Sequence, residues 1–457
     1  MDKLSLYIAT DTTADYLAKF ISSNSKSILK ADIAPYNQIS NICLSEAKAN
    51  ILLIWSCPDM QISTYKKLIN FETINFQELK NEVELFASLI RESTKKYDSV
   101  FMLSWAFPPE ITWPMALTNK NHNGCIDILM RMNLLLAEIL SEAKNFHLID
   151  SGILQSHFPG KLHDPRLYAF GRIRYTIAYQ EYISKKIVPV IESSRKSSRQ
   201  LIICDLDNTL WDGIIGEEGI NGINIGGNNP IGEAHLQLQK NFKALKNRGI
   251  LLAISSKNES KVAINAINNL PSMILKINDF SAIRINWEDK EKNIASILAE
   301  LNISSASAVF IDCNPSERER VKKAFPDMAV PELQKDVSLW SESINSLNYF
   351  ETLNISNDDL KRTNLYIDES KRKTSYKKFI DIDEWLNSLQ IELSADKLTE
   401  QNISRATQLL NKSNQFNLKT RKFGEDELLK WLLPIERDGL AFSIKDKFGD
   451  SGLTAVV

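Results

Sequence analysis

The densest concentration of reactive side chains lies at 204–213, CDLDNTLWDG, where an apolar run delivers two carboxylates, Asp205 and Asp207, at a spacing of two. Side chains alternate along a strand, so both leave it on the same side. Paired carboxylates placed this way can hold one magnesium ion through oxygen ligands, and the metal keeps a carboxylate ionised beside a phosphate. Asp205 can then attack phosphorus while Asp207 shuttles a proton. Taken alone, a DxD pair is equally a pair of capping or turn aspartates. Three later groups, each at the end of an apolar run, shift the balance: Ser256 in LLAISSKN can hydrogen-bond a phosphoryl oxygen, Lys290 in INWEDKEKN can neutralise its charge, and Asp312 in VFIDCNPSERE can complete a metal shell. Singly, these read as a turn residue, a surface charge and a strand-end cap. Their ordered occurrence points to one shared phosphate site.

Such a site needs elements to hold it. From Gln200 to about Leu347, the apolar runs LIICDLD, GILLAISS and SAVFIDC alternate with helical patterns, which predicts a doubly wound α/β domain with its ligands at the carboxyl ends of the strands. Upstream, LSLYIAT, NILLIWS at 50–56, SVFMLSW at 99–105 and NFHLID at 145–150 predict buried parallel strands alternating with helices. YAFGRIRYTIAYQEYISKKIVPVIESS then has helical periodicity, and the polar stretch SSRKSSRQ at 193–200 marks a boundary. Residues 348–390 are charged and Asn-rich, a solvated helical connector. From Ile391 the chain reads strand, helix, helix, strand. It stops at Val457 inside a hairpin strand, which predicts the opening of a larger domain. The expected organisation is an N-terminal α/β domain (1–195), a central α/β domain (196–347), a connector (348–390) and a partial C-terminal α+β domain (391–457).

Composition limits the partners. With 457 residues, the chain exceeds one ordinary domain, and 43% hydrophobic with 25% charged residues is the make-up of a folded globular protein. A net charge of −2 gives no basic face for nucleic acid. The start, MDKLSLYIATDTTADYLAKF, is too polar for a signal peptide, and no stretch approaches the length of a membrane span, so a cytoplasmic protein without a membrane partner is expected. Cys43, Cys57, Cys125, Cys204 and Cys313 are scattered and lack metal-ligand spacing, which predicts neither disulfides nor a zinc site.

DLDNT, a serine after an apolar strand, a lysine, and FID after the last strand resemble the four motifs of the haloacid dehalogenase (HAD) superfamily, whose domain is Rossmann-like. More narrowly, DLDNTLWDGIIGEEGI, LLAISSKNE, INWEDKEKNI, LNISSASAVFIDCNPSERERV and NKSNQFNLKTRKF resemble the FkbH-like family of polyketide pathways, over most of residues 160–457. LHDPRLYAFGR resembles that family's lead-in sequence. The resemblance implies a glyceryl transferase/phosphatase that takes D-1,3-bisphosphoglycerate, removes phosphate and delivers a glyceryl thioester to an acyl carrier protein, with magnesium as cofactor. The parts suit that chemistry: the C1 phosphate is a mixed anhydride that a thiolate can displace, and the C3 phosphate is an ester requiring the metal–aspartate machinery.

By position, the resemblance implies Asp205 as nucleophile and Asp207 as acid/base. Phosphate contacts fall on Ser256 and Lys290, with Asn208, Thr209, Lys257 and Asn258 in the same binding set, and metal ligands on Asp205, Asp207 and Asp312. Asn208 and Asn314 are placed to position substrate or metal-bound water, and Trp211 to Gly219 is expected to form a short flap that excludes water. One position departs from many HAD enzymes: Cys313 stands where a second acid commonly follows the last aspartate. Nearby positive charge could lower its pKa and make it the carrier of the glyceryl group, or it is a small buried cysteine that only packs. Cys204, on the opposite strand face from Asp205, belongs to the core.

The N-terminal region resembles SGNH-type hydrolases, but Thr10, Asp11 and Thr12 stand where a nucleophilic serine is required, so a degenerate scaffold that helps dock the carrier protein is expected. His163 reads as part of that scaffold or as a turn residue. SNQFNL and KDKFGDSG resemble the opening of an N-acetyltransferase-like (GNAT) domain without its pyrophosphate-cradling segment. Two other functions fit the same motifs: a plain small-molecule phosphatase and a catalytically idle docking module.

Overall fold

The computed structural model describes residues 4–25, 27–194, 198–227, 229–355, 357–376, 379, 381–399, 401–412, 428, 431–432 and 438–457. The chain forms two units, Met1–Ser198 with Glu351–Leu353, and Arg199–Phe350 with Asn354–Val457.

In the first unit, β1 (Leu4–Thr10), β2 (Ile28–Ile33), β3 (Ile51–Trp55), β4 (Ser99–Leu103) and β5 (Phe146–Ile149) form a parallel sheet of order β2-β1-β3-β4-β5. The inner strands β3 and β4 are buried along their whole length, which is why they read as unbroken apolar runs. β2 is not among the strands expected from the sequence. Lys30 and Asp32 interrupt its apolar pattern, and an edge strand tolerates them because their exposed side chains pair with each other at 2.6 Å. Apolar clusters cover both faces of the sheet. The helical periodicity over 168–194 resolves into two helices, Pro165–Gly171 and Ile177–Glu192. Arg172, in the left-handed region at φ 53°, ends the first, and the Thr176 hydroxyl caps the second by accepting from the Tyr179 N–H.

In the second unit, β6 (Leu201–Cys204), β7 (Leu251–Ser256), β8 (Phe280–Ile285) and β9 (Ala308–Ile311) make a parallel sheet of order β8-β7-β6-β9. The chain steps from β6 outward to β7 and β8 and then returns to the other side of β6. The crevice that such a reversal opens lies beyond the carboxyl ends of the strands. β8 was not expected either: it is an edge strand whose Arg284 points to Glu300 at 2.5 Å. Alternation sends Ile202 and Cys204 into one apolar cluster and Leu201 and Ile203 into the other, so Cys204 is a core residue.

The helix Asn357–Tyr376 is not a free-standing solvated connector. Thr363 is buried, Tyr366 packs against the cluster under the central sheet, and the Arg362 guanidinium donates to the Gly249 carbonyl at 3.1 Å. Gly249 has to be glycine: its φ is 97°, and a Cβ would meet the Asp359 carbonyl oxygen at 2.2 Å. Beyond it, β10 (Glu392–Lys397), β11 (Leu440–Asp446) and β12 (Gly449–Val456) form an antiparallel sheet of order β10-β11-β12, accompanied by the helix Ile403–Lys412. SNQFNL and most of the second helix expected at 424–435 lie outside the described residues. No helix among the described residues is long and apolar enough to cross a membrane.

Candidate active site

β6 lies between β7 and β9, so the residues that follow these three strands meet in one crevice. Asp205 follows β6, Ser256 ends β7 and Asp312 follows β9. Lys290 opens the helix Lys290–Leu301 after β8 and reaches the same place, with Nζ 2.8 Å from Asp205 Oδ2 and 2.5 Å from Asp312 Oδ2. All four residues are buried. Burial works against the lysine's charge, but Asp205 and Asp312 outweigh it and hold its pKa above the ordinary lysine range. Burial, reinforced by the charge of Asp205, pushes Asp312 up to about 6.

The two oxygens of Asp205 differ in kind. Oδ2 is bound to Lys290, whereas Oδ1 is buried with no hydrogen-bond partner among the described residues. A bare carboxylate oxygen in an interior is costly unless a ligand completes it. Asp205, Asp312 and Cys313 each present a ligand atom within 4.8 Å of the others. The two carboxylates are the oxygen donors that a hard divalent cation such as Mg2+ requires, so these residues fit that ion. The Asp207 carboxylate is not in this cluster, which corrects the expectation of a three-carboxylate shell. Its Oδ1 accepts from Trp211 Nε1 (2.9 Å) and the Ile215 N–H (3.1 Å), and its Oδ2 accepts from Asn258 Nδ2 (2.9 Å). Two of these donors lie in the segment after β6 and the third follows β7, and together they fix the carboxylate away from the cluster.

Several residues expected to touch substrate serve the backbone or one another. Asn208 sits at φ 51°, a conformation asparagine tolerates, and its Oδ1 accepts from the Gly213 N–H at 3.0 Å. Asn314 caps the helix Pro315–Ala324 through its Oδ1 and donates its own N–H to Asp312 Oδ1 at 2.8 Å. The buried Thr209 hydroxyl accepts the Cys313 N–H at 3.2 Å. Asn258 is buried and bridges Asp207 to the Ser256 hydroxyl, which accepts at 3.1 Å. Lys257 is half-buried and paired with Glu317 at 2.9 Å. The 211–219 segment contains the helix Ile215–Glu218 and closes by an antiparallel bridge from Asp212 to Asn224. Its Trp211 and Ile215 belong to the core, so this end of the flap is anchored.

Of the two readings of Cys313, the protein's own charges favour the packing cysteine. Burial, followed by the charges of Asp312 and Asp205, pushes its thiol up to about 11, and Lys290 does not compensate. Without a bound cation, these surroundings do not activate the thiol.

Sequence reasoning missed Arg318 and the role of Trp211. Arg318 is 4% exposed and donates at 2.9 Å to the carbonyls of both Asp312 and Cys313, while Glu332 pairs with it at 3.1 Å. It looked like one charge among many in SERERV. The available signal was its position on the first turn of the helix directly after Asp312, where a long side chain can reach back to the loop.

At the carboxyl end of the N-terminal sheet, Asp11 follows β1 and accepts from the Cys57 N–H (2.9 Å) and from Gln61 Nε2 (2.8 Å). Burial raises it to about 6 despite these bonds. Arg174 is buried between Asp59 and Glu110, 2.8 Å from each. His163 Nδ1 donates to the Arg174 carbonyl at 2.9 Å, which fixes its ring to the neighbouring backbone.

No family model and no curated protein matches the chain. Among solved structures it is similar to the N-terminal part of a Bacteroides fragilis protein that contains a phosphatase domain and is complexed with Mg, with a TM-score of 0.67 and 26% identity over 78% of this chain and 95% of that one. The acetylxylan esterase Axe2 of Geobacillus stearothermophilus (TM-score 0.27, 11% identity, 41% of this chain and 93% of that one) and a cobalt-bound deoxy-D-mannose-octulosonate 8-phosphate phosphatase of Haemophilus influenzae (0.21, 14%, 41% and 94%) are likenesses too slight to bear on function. A lysine bridging the two strand-end aspartates of a parallel sheet, together with a likeness that runs over most of both chains, supports the haloacid dehalogenase reading of the central domain.

Proposed function

We propose that the chain is a magnesium-dependent phosphatase that also delivers a glyceryl group. The observation that carries the phosphatase reading is the asymmetry of Asp205, with one oxygen held by Lys290 and the other bare beside Asp312. The bare Oδ1 can attack phosphorus and form an aspartyl phosphate, which water then hydrolyses. Lys290 and the Ser256 hydroxyl supply the positive charge and the hydrogen bond that the phosphoryl oxygens meet. Asp207, two residues after Asp205 and fixed by three donors, is the group assigned to pass a proton to the leaving oxygen or draw one from water. Magnesium, held by Asp205 and Asp312, would neutralise charge on the phosphate. The Bacteroides protein, complexed with Mg and containing a phosphatase domain, supports this reading.

The motif resemblance supports D-1,3-bisphosphoglycerate as substrate and an acyl carrier protein as acceptor. In this reading the carrier's phosphopantetheine thiolate displaces the C1 phosphate of the mixed anhydride, and the C3 ester is cleaved at Asp205. In the simplest route transfer goes directly to the carrier thiol, and a relay through Cys313 would leave a glyceryl adduct on that residue. Docking of the carrier is assigned to the N-terminal unit, where Asp11 and Arg174 are already saturated by neighbours and leave no nucleophile.

The test is intact-mass spectrometry of carrier protein incubated with the chain, D-1,3-bisphosphoglycerate and Mg2+. A glyceryl adduct on the carrier and phosphate in solution are expected. Phosphate release with no adduct would reduce the function to that of a plain phosphatase.

A further inference from the structure

The group that breaks the usual carboxylate pattern also stands in the cation site. Cys313 Sγ lies within 4.8 Å of a carboxylate oxygen of both Asp205 and Asp312. Its placement is fixed on three sides: the Cys313 N–H donates to Thr209 Oγ1 at 3.2 Å, Sγ is 3.6 Å from the Asp207 carbonyl, and Arg318 holds the Cys313 carbonyl at 2.9 Å. Independently, Asp205 Oδ1 is a buried oxygen without a partner among the described residues.

These donors are not neutral between metals. Mg2+ takes oxygen and gains nothing from a thiol. Zn2+, Co2+ and Cd2+ accept thiolate and carboxylate together, because a thiolate is a soft ligand that suits such ions and not magnesium. A tetrahedral ion about 2.3 Å from sulfur and about 2.1 Å from each oxygen holds its ligand atoms roughly 3.4–3.6 Å apart, so the three side chains draw together as it binds. We propose that Asp205, Asp312 and Cys313 form a mixed thiolate–carboxylate site for borderline divalent cations of the zinc type, which bind in place of magnesium and arrest phosphate release. On binding, the S–H bond of Cys313 breaks, a metal–sulfur bond forms, and one proton leaves to solvent. The metal stays divalent, so no redox partner is required. This deepens the phosphatase reading and rests on it for the arrest, but the ligand set stands on geometry alone.

The experiment titrates the metal-free full chain with Co2+ and follows the thiolate-to-cobalt charge-transfer absorption, with calorimetry for Co2+, Zn2+ and Mg2+ in parallel. The intact protein is expected to show the band, and Cys313→Ser and Cys313→Ala to lack it. Loss of a ligand should weaken Zn2+ at least as much as loss of an outer partner does, about tenfold, with Mg2+ affinity little changed. A measurement needing no variant is alkylation of the native chain followed by peptide mapping, in which Zn2+ but not Mg2+ protects Cys313. Co2+ bound calorimetrically without a band, a band that persists in both variants, or no protection by Zn2+ would each overturn the proposal and leave the magnesium phosphatase reading standing. Phosphate release that needs no divalent cation, from a chain that binds none of the three, would overturn both.

Discussion

Asp11 and Asp205 occupy equivalent places in two parallel sheets, each one residue past an interior strand: Thr10 ends β1 and Cys204 ends β6. Both are buried. Asp11 has its oxygens filled by the Cys57 N–H and Gln61, both rigid parts of its own unit. Asp205 has one oxygen filled by a lysine and the other by nothing among the described residues. The same strand-end position thus yields a structural group in one sheet and a group with open valence in the other. Topology supplies the place, and the neighbours decide whether any chemistry is left over.

The comparison breaks or holds on four variants. The largest effect is expected for Asp205→Asn, which should lower phosphate release by at least roughly a thousandfold, as removal of a nucleophile does. Asp11→Asn should leave the rate within about twofold on the same scale. Steady-state phosphate release on both proteins measures this, and comparable losses would show that the N-terminal aspartate is also catalytic. Next is Lys290→Met, which strands two buried carboxylates without their cation. A loss of about 3–5 kcal/mol is expected in urea unfolding, together with loss of activity, and a loss below about 1 kcal/mol would mean that water reaches the pair.

Asp11→Asn also tests pH dependence. Asp11 titrates at about 6 in the fold against 3.8 unfolded. Between those values the native state binds more protons, so the unit loses stability as pH rises through this window and is level above it. Asp11→Asn removes the slope. The variant's advantage over the parent should grow from pH 4 to pH 6 and then hold at about 3 kcal/mol, as read from unfolding midpoints across pH. A flat difference would place the Asp11 carboxylate in contact with water. The smallest effect is expected for Arg318→Lys: one guanidinium nitrogen holds both carbonyls of the Asp312 loop while another pairs with Glu332, and a single ammonium cannot hold all three in that geometry. About 1 kcal/mol of stability should go, and half-maximal phosphate release should need several-fold more magnesium. Unchanged magnesium dependence would make Arg318 purely structural.

The convergence of Asp205, Ser256, Lys290 and Asp312 was legible because three of the four follow buried strands, and unbroken apolar runs announce such strands. β2 and β8 were not legible, because edge strands carry residues such as Lys30, Asp32 and Arg284 that break the pattern. The finer site was readable only by residue type. Asn208, Asn258 and Asn314 look like substrate ligands in the sequence, but asparagine is equally suited to serve backbone turns, caps and neighbouring side chains, and all three do so here. The two readings of Cys313 stayed open in the sequence because spacing places a cation near the thiol but cannot weigh it against burial and two carboxylates.

Trp211 adds a consequence of its own. Its indole is wholly buried and donates to Asp207, the group that gains and loses a proton in each proposed cycle. The emission of that indole therefore depends on the charge of its acceptor, while burial shields it from dissolved quenchers. The fold thus carries an optical reporter of its own acid/base, and a variant retaining Trp211 as its sole tryptophan would let the protonation of Asp207 be followed in real time without a label.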